Sequence, residues 1–99
     1  MKQDLQTLQK RIMTALQNEQ GNREKNREWV YDDIEGDSPR WVINERHAVL
    51  NEVNAIRKAA GKLPIAVETL NVKAERQACG HVDYTRKFAL YAAELAMMD

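Results

Sequence analysis

The longest amphipathic segment of the chain lies between a Ser-Pro pair, Ser38-Pro39, and Gly61. Serine is a good helix N-cap, proline suits the first helical position, and glycine commonly follows a helix end. Apolar residues recur between them at the spacing of one helix face, which is interrupted only by Arg46. They are Val42, Val49, Leu50, Val53, Ile56 and Ala60. The pattern predicts a helix over 39–60, about 33 Å long, as the spine of the fold.

Three other segments carry shorter apolar stripes. The first covers 3–18 and includes Leu5, Leu8, Ile12, Ala15 and Leu16. The second covers roughly 68–79 and ends at Gly80. The third covers 83–98, with Asp83 as its expected N-cap and a stripe made of Tyr84, Phe88, Tyr91, Leu95 and Met98. We therefore predict an all-α fold, a small bundle of about four helices that forms one domain over 1–99.

Residues 21–37 form an irregular, polar and acidic connection between the first two helices. Within it, the segment WVYDDI at 29–34 fits neither the helical nor the strand period. Its aromatic and β-branched residues suit a strand, but a lone strand needs a partner and the sequence offers no obvious one. The segment is therefore predicted as a helical turn.

Bulk composition restricts the function classes. Apolar residues make up 43% of the chain and charged residues 30%, which is typical of a globular protein. No apolar run approaches the roughly 20 residues that span a bilayer, and the polar start MKQDLQTLQK does not resemble a secretory signal. The single cysteine, Cys79, fits a reducing compartment. These features predict a cytoplasmic protein with no membrane partner.

Charge is balanced overall but unevenly distributed. The 15 basic and 15 acidic residues cancel, which argues against a general polyanion binder. Residues 21–37 hold three basic and six acidic residues, a balance of −3, whereas 38–62 hold five basic and two acidic, a balance of +3. The simpler interpretation is that the two segments complement each other within the fold. The more specific interpretation is that residues 38–62 present a basic face that binds a partner.

No motif indicates catalysis, a metal or a cofactor. The Gly80-His81-x-Asp83 segment is explained as the boundary between two helices, and Cys79-x-His81 supplies only two of the ligands that zinc requires. The acidic run Asp32-Asp33-x-Glu35 lacks the alternating spacing of a calcium loop. The four glycines are scattered and form no phosphate loop. We expect no enzymatic activity.

The segment AERQACGHVDYTRKFALYAAEL resembles segments of small accessory proteins of tailed bacteriophages and prophages. The resemblance covers about residues 68–95. It implies a bacterial host cytoplasm and a non-essential accessory role, and it assigns no catalytic or binding residue.

The leading hypothesis is a protein-binding module that modulates a host or phage factor. Trp29, Trp41 and Ile43 are the candidate interface residues, because aromatic residues dominate binding hot spots. Ile43 also lies outside the main stripe of its helix. The surplus apolar surface is either covered by 29–34 or exposed, in which case a homodimer is expected.

The alternative is a nucleic-acid-binding module built on the same long helix. Its candidate contacts are Arg40, Arg46, Arg57, Lys58 and Lys62. Arg46 and Arg57 are eleven positions apart, about three helical turns, and therefore align on one side of the helix.

Overall fold

The computed structural model describes residues 4–72 and 80–99. In these ranges the chain forms three α-helices and one two-stranded antiparallel sheet. The elements are α1 (Leu5–Gly21), β1 (Trp29–Asp32), β2 (Gly36–Pro39), α2 (Arg40–Ala59) and α3 (His81–Met97), with a short 3-10 turn over Val67–Leu70 before α3. The prediction of a mostly helical protein is confirmed. The prediction of an all-α fold is wrong because of the two-stranded sheet, and the described ranges contain three of the predicted four helices.

Helix α1 begins at Leu5 because the Asp4 carboxylate accepts a hydrogen bond of 2.8 Å from the Thr7 backbone N–H. That bond, assisted by the Thr7 hydroxyl, lowers the pKa of Asp4 below its ordinary 3.8. This hydrogen bond therefore stabilises the helix fully at pH values above the ordinary pKa of the carboxyl group. The stabilisation is lost as the pH falls through the lowered pKa of the folded protein. The helix continues to Gly21, one turn past the predicted end, and this extension brings Gln20 into the core.

The three helices share one hydrophobic core. Helices α1 and α2 contribute most of the stripes that the sequence predicts, with Val49, Val53 and Ile56 from α2. In α3 the prediction holds only in part, because Tyr84 and Phe88 are buried whereas Tyr91 and Met98 are exposed. Helix α3 presents small residues between its two buried aromatics and its C-terminus, which lets the other helices approach closely. These small residues are Ala89, Ala92, Ala93 and Ala96.

A polar cluster interrupts this core where all three helices meet. The Gln20 side-chain amide donates to the Glu45 carboxylate at 2.6 Å and to the Thr85 hydroxyl at 3.0 Å. All three side chains are buried. Buried polar groups need partners, so this cluster fixes the relative position of α1, α2 and α3 more specifically than apolar contacts alone.

The connection after α2 returns along that helix in a largely non-helical conformation. Its backbone groups bond to α2 side chains: Arg57 Nε donates to Leu63 O at 2.6 Å, and the Asn54 amide exchanges two hydrogen bonds with the Ile65 backbone. The predicted helix over 68–79 is wrong where it can be compared, because 67–70 form a 3-10 turn and Asn71 is extended. Residues 73–79 lie outside the described ranges.

Helix α3 starts two residues earlier than predicted. Gly80 occupies the N-cap position and Asp83 lies in the first turn, where it pairs with Arg86 at 3.2 Å. At the other end, Arg57 Nη1 donates to Leu95 O at 2.8 Å and to Met98 O at 2.7 Å. A guanidinium at this position binds carbonyls at the end of the last turn and complements the negative end of the helix dipole.

The predicted helical turn over 29–34 is wrong. Residues 29–32 form a strand that pairs with 36–39, and the chain reverses through Gly36, whose φ of 74° lies in the left-handed region. The partner strand reads Gly-Asp-Ser-Pro, a composition typical of turns, so it gives no strand signal. Pro39 takes the N-cap position of α2 in place of Ser38, whose hydroxyl instead donates to Glu35 O at 3.3 Å.

The core assignment can be tested with a graded series of truncations. Phe88 is 2% exposed, Leu50 is half-buried and Leu63 is 81% exposed. Phe88→Ala should lower the free energy of unfolding by about 3–5 kcal/mol, and Leu50→Ala should cost less, near the lower end of the ~2–5 kcal/mol range for leucine. Leu63→Ala should stay within about 0.5 kcal/mol. Urea denaturation measures all three, and a Phe88→Ala loss no larger than that of Leu63→Ala would contradict the packing.

Candidate functional site

The hairpin β1–β2 is attached to α2 by a buried ion pair. Arg46 projects from α2 and is 2% exposed; its Nη2 donates to the Glu35 carboxylate in the hairpin turn, and its Nε donates to Leu70 O at 3.0 Å. A carboxylate oxygen of Asp32 lies 3.6 Å from Nη1. The guanidinium thus binds both the hairpin and the end of the connection that follows α2.

Local hydrogen bonds set the shape of the hairpin at its turn and at its base. The Asp32 carboxylate accepts the backbone N–H groups of Ile34 at 3.2 Å and Glu35 at 3.1 Å, which stabilises the reversal. At the base, Arg40 N–H donates to Glu28 O at 2.8 Å, and the side chains of these two residues form an exposed ion pair. The strands therefore lead directly into the first turn of α2.

The register separates two faces of the hairpin. Residues directly opposite each other share a face, and residues alternate between faces along each strand. Val30, Asp32 and Ser38 are buried or half-buried and face α2. The opposite side, which we call the outer hairpin face, consists of Trp29, Tyr31, Asp37 and Pro39.

Two large aromatic side chains lie side by side on the outer hairpin face. Trp29 is 69% exposed and Tyr31 is 74% exposed, two positions apart on the same strand. Pro39 lies opposite Trp29, and Asp37 lies opposite Tyr31. Exposed aromatic surface next to polar groups is the composition that protein interfaces favour.

The outer edge of β1 also carries backbone groups that have no hydrogen-bond partner in the described ranges. Glu28 and Arg40 form a hydrogen-bonded pair, and such pairs alternate with non-hydrogen-bonded pairs along an antiparallel ladder. The N–H and C=O groups of Trp29 and Tyr31 therefore point away from β2. In the described ranges, β2 is the only strand beside β1. Pro39 lies opposite Trp29, a position at which its missing N–H does not interrupt the ladder.

The charge around this face is acidic. Residues 29–39 contain four carboxylates and no basic residue. Asp32 and Glu35 are matched by Arg46. The exposed carboxylates of Asp33 and Asp37 have neither a hydrogen bond nor an ion pair within 4–72 and 80–99. The acidic run Asp32-Asp33-x-Glu35, which the sequence presents as a solvated turn, is thus divided: Asp32 and Glu35 pair with Arg46, whereas Asp33 has no such partner in the described ranges.

The predicted interface residues occupy different environments. Trp29 is exposed on the outer hairpin face, whereas Trp41 and Ile43 are half-buried in the first turn of α2 beside the hairpin. The sequence identified Trp29 but missed Tyr31, Asp33 and Asp37. The available signal was the two-residue spacing of Trp29 and Tyr31 before a glycine.

The five basic residues predicted for nucleic acid do not form one surface. Arg46 and Arg57 align as their spacing predicts, but both are buried and bond to protein groups. Arg40 is paired with Glu28, and Lys62 donates to Met97 O at 2.7 Å. Lys58 is exposed in the last turn of α2.

The described ranges contain neither a cluster of potential metal ligands nor a helix that could span a membrane. No group of three or more His, Cys, Asp or Glu side chains in the described part of the chain is placed to hold a metal ion. Cys79 lies outside those ranges, and His81 is the first residue of α3. None of the described helices combines the length and apolar character needed to cross a membrane.

Comparison with protein-family models, with curated proteins and with solved structures gives no match for this chain.

The attachment of the hairpin predicts that Arg46 and Arg40 contribute very differently to the free energy of unfolding. Removing one partner of a buried ion pair typically costs about 3–5 kcal/mol, whereas an exposed pair contributes about 0–1 kcal/mol. Arg46→Met should therefore destabilise the protein by several times more than Arg40→Met, which breaks the exposed pair with Glu28. Denaturant unfolding of both variants measures this. Equal effects would mean that Arg46 does not hold the hairpin.

Proposed function

We propose that this protein is a non-enzymatic protein-binding module whose docking surface is the outer hairpin face. The observation that carries the proposal is the pair of exposed aromatic side chains, Trp29 and Tyr31, on a hairpin fixed from behind by Arg46. Neither ring packs into the helical core. Tryptophan and tyrosine are enriched among residues that carry binding energy, because they bury a large area at a low cost in conformational entropy.

The attachment of the hairpin supports this proposal. A two-stranded hairpin is marginally stable by itself, so an aromatic pair on a free hairpin would lose much binding energy to ordering. Here the Arg46–Glu35 pair and the short link to α2 hold the strands before a partner arrives. Preorganised surfaces bind more tightly for the same contact area.

The origin of the partner follows from the resemblance of residues 68–95. If the chain is a phage or prophage accessory protein, its partner is a host or phage factor in the bacterial cytoplasm. The nucleic-acid alternative has weaker support, because Arg46 and Arg57 are buried and the remaining basic residues are separated on the surface.

The proposal is tested by removing the aromatic pair. We expect Trp29→Ala with Tyr31→Ala to reduce recovery of the bound protein by about tenfold or more, since interface hot spots contribute about 2 kcal/mol or more each. The measurement is quantitative mass spectrometry of proteins captured from cells of the source organism by wild type and variant. Circular dichroism should confirm that the variant remains folded.

A matched control replaces two other exposed apolar residues, Leu63→Ala with Met98→Ala. Both lie near Arg57 at the C-terminal end of α2, far from the hairpin. This variant should retain the bound protein. Equal recovery with wild type and both double variants would show that the outer hairpin face is not the docking surface.

A further inference from the structure

We infer that the outer hairpin face binds an extended, basic segment of a partner protein, which adds to β1 as a third strand. This inference rests on the proposed function and specifies the chemistry of the partner. Three independent properties of the hairpin lead to it: the open edge of β1, the asymmetry between the two edges of the sheet, and the unmatched acidic charge.

The open edge of β1 determines the conformation of the partner. The backbone N–H and C=O groups of Trp29 and Tyr31 point away from β2 and form a short row of donors and acceptors. An extended segment that lies beside β1 satisfies these groups through its own backbone, as in other cases of strand addition. A helical segment has no free backbone groups to offer.

The two edges of the sheet differ in their openness to such pairing. Proteins commonly block exposed edges with proline, charge or irregular backbone. The β2 edge carries Pro39, which has no N–H, together with Asp37 and the left-handed Gly36. The β1 edge carries no proline, charged residue or irregular backbone between Trp29 and Tyr31. We therefore expect the partner strand to pair with β1.

The charge of the site determines the side chains of the partner. Asp33 and Asp37 are exposed carboxylates without a basic partner in the described part of the chain, and Asp37 lies directly opposite Tyr31. Arginine and lysine stack favourably on the faces of tryptophan and tyrosine, and arginine also pairs with carboxylates. A segment with alternating basic residues places successive cations on the same side of its strand, over the two rings.

The experiment uses the full chain carrying Trp41→Phe, so that Trp29 is the sole tryptophan and reports binding by fluorescence. The probe is a short synthetic peptide that alternates arginine with threonine, and the reference is the same peptide with glutamine in place of arginine. We expect the arginine peptide to bind at least about threefold more tightly than the glutamine peptide, because a single arginine stacked on one ring already supplies that difference. Asp37→Asn should weaken the arginine peptide about two- to fivefold and leave the glutamine peptide unchanged.

Glu94→Gln is the matched control, because it removes one exposed carboxylate from the far end of α3. It should leave both affinities as in the parent chain. Amide hydrogen exchange supplies the conformational readout: the peptide should protect the Trp29 and Tyr31 amides, which face the open edge, by more than it protects the Val30 amide.

Three results would overturn the inference. They are equal affinities for the arginine and glutamine peptides, equal effects of Asp37→Asn and Glu94→Gln, and unchanged exchange of the Trp29 and Tyr31 amides. If capture from cells still depends on Trp29 and Tyr31, the docking surface stands and only the basic, extended partner is rejected. Sedimentation that shows a dimer lost on Trp29→Ala would assign the face to a second copy of this chain.

Discussion

Arg46 places a permanent positive charge where solvent does not reach, and two separate parts of the chain supply its three partners. Glu35 and Asp32 come from the hairpin, and the Leu70 carbonyl comes from the connection after α2. A buried guanidinium without these partners is severely unfavourable, so the helix face that presents Arg46 can be buried only with the hairpin in place. Formation of the core and positioning of the hairpin are therefore coupled.

The same helix organises the other non-helical parts of the described chain. Asn54 binds the backbone of Ile65, and Arg57 binds Leu63 and the C-terminal turn of α3. Segments without regular structure leave backbone groups that need partners, and long polar side chains from a stable helix supply them. The apolar stripe of α2 builds the core, while the polar residues along it determine the path of the chain around that core.

The contrast between the apolar stripe of α2 and its polar side chains explains which parts of the fold could be predicted from sequence. Helix α2 was located to within one residue at each end, because its periodicity and terminating signals are local. The hairpin was missed because β2 has the composition of a turn, and neither its pairing with β1 nor the ion pair between Arg46 and Glu35 leaves a local sequence signal. Arg46 is the one polar residue of its stripe, but its spacing to Arg57 indicates only that the two side chains align and not that the side they share faces inward.

The predicted charge complement is confirmed for part of the chain only. Arg40 with Glu28, and Arg46 with Asp32 and Glu35, join the acidic and basic segments as expected. Arg57 and Lys62 instead bind carbonyls at the other end of the bundle. This division leaves Asp33 and Asp37 unmatched within the described chain, although the protein has no net charge.

The inner and outer sides of the hairpin therefore obey different constraints. On the inner side, Asp32, Glu35 and Ser38 are fixed by the folded protein, and a change there alters its stability. On the outer side, Trp29 and Tyr31 contribute little to the helical core, so folding alone does not require aromatic residues at either position. A small protein that needed only to close this turn could carry polar residues at both positions and be more soluble. Two aromatic rings on a fixed strand, beside carboxylates that have no partner in the described ranges, are the features that the proposed docking surface would use.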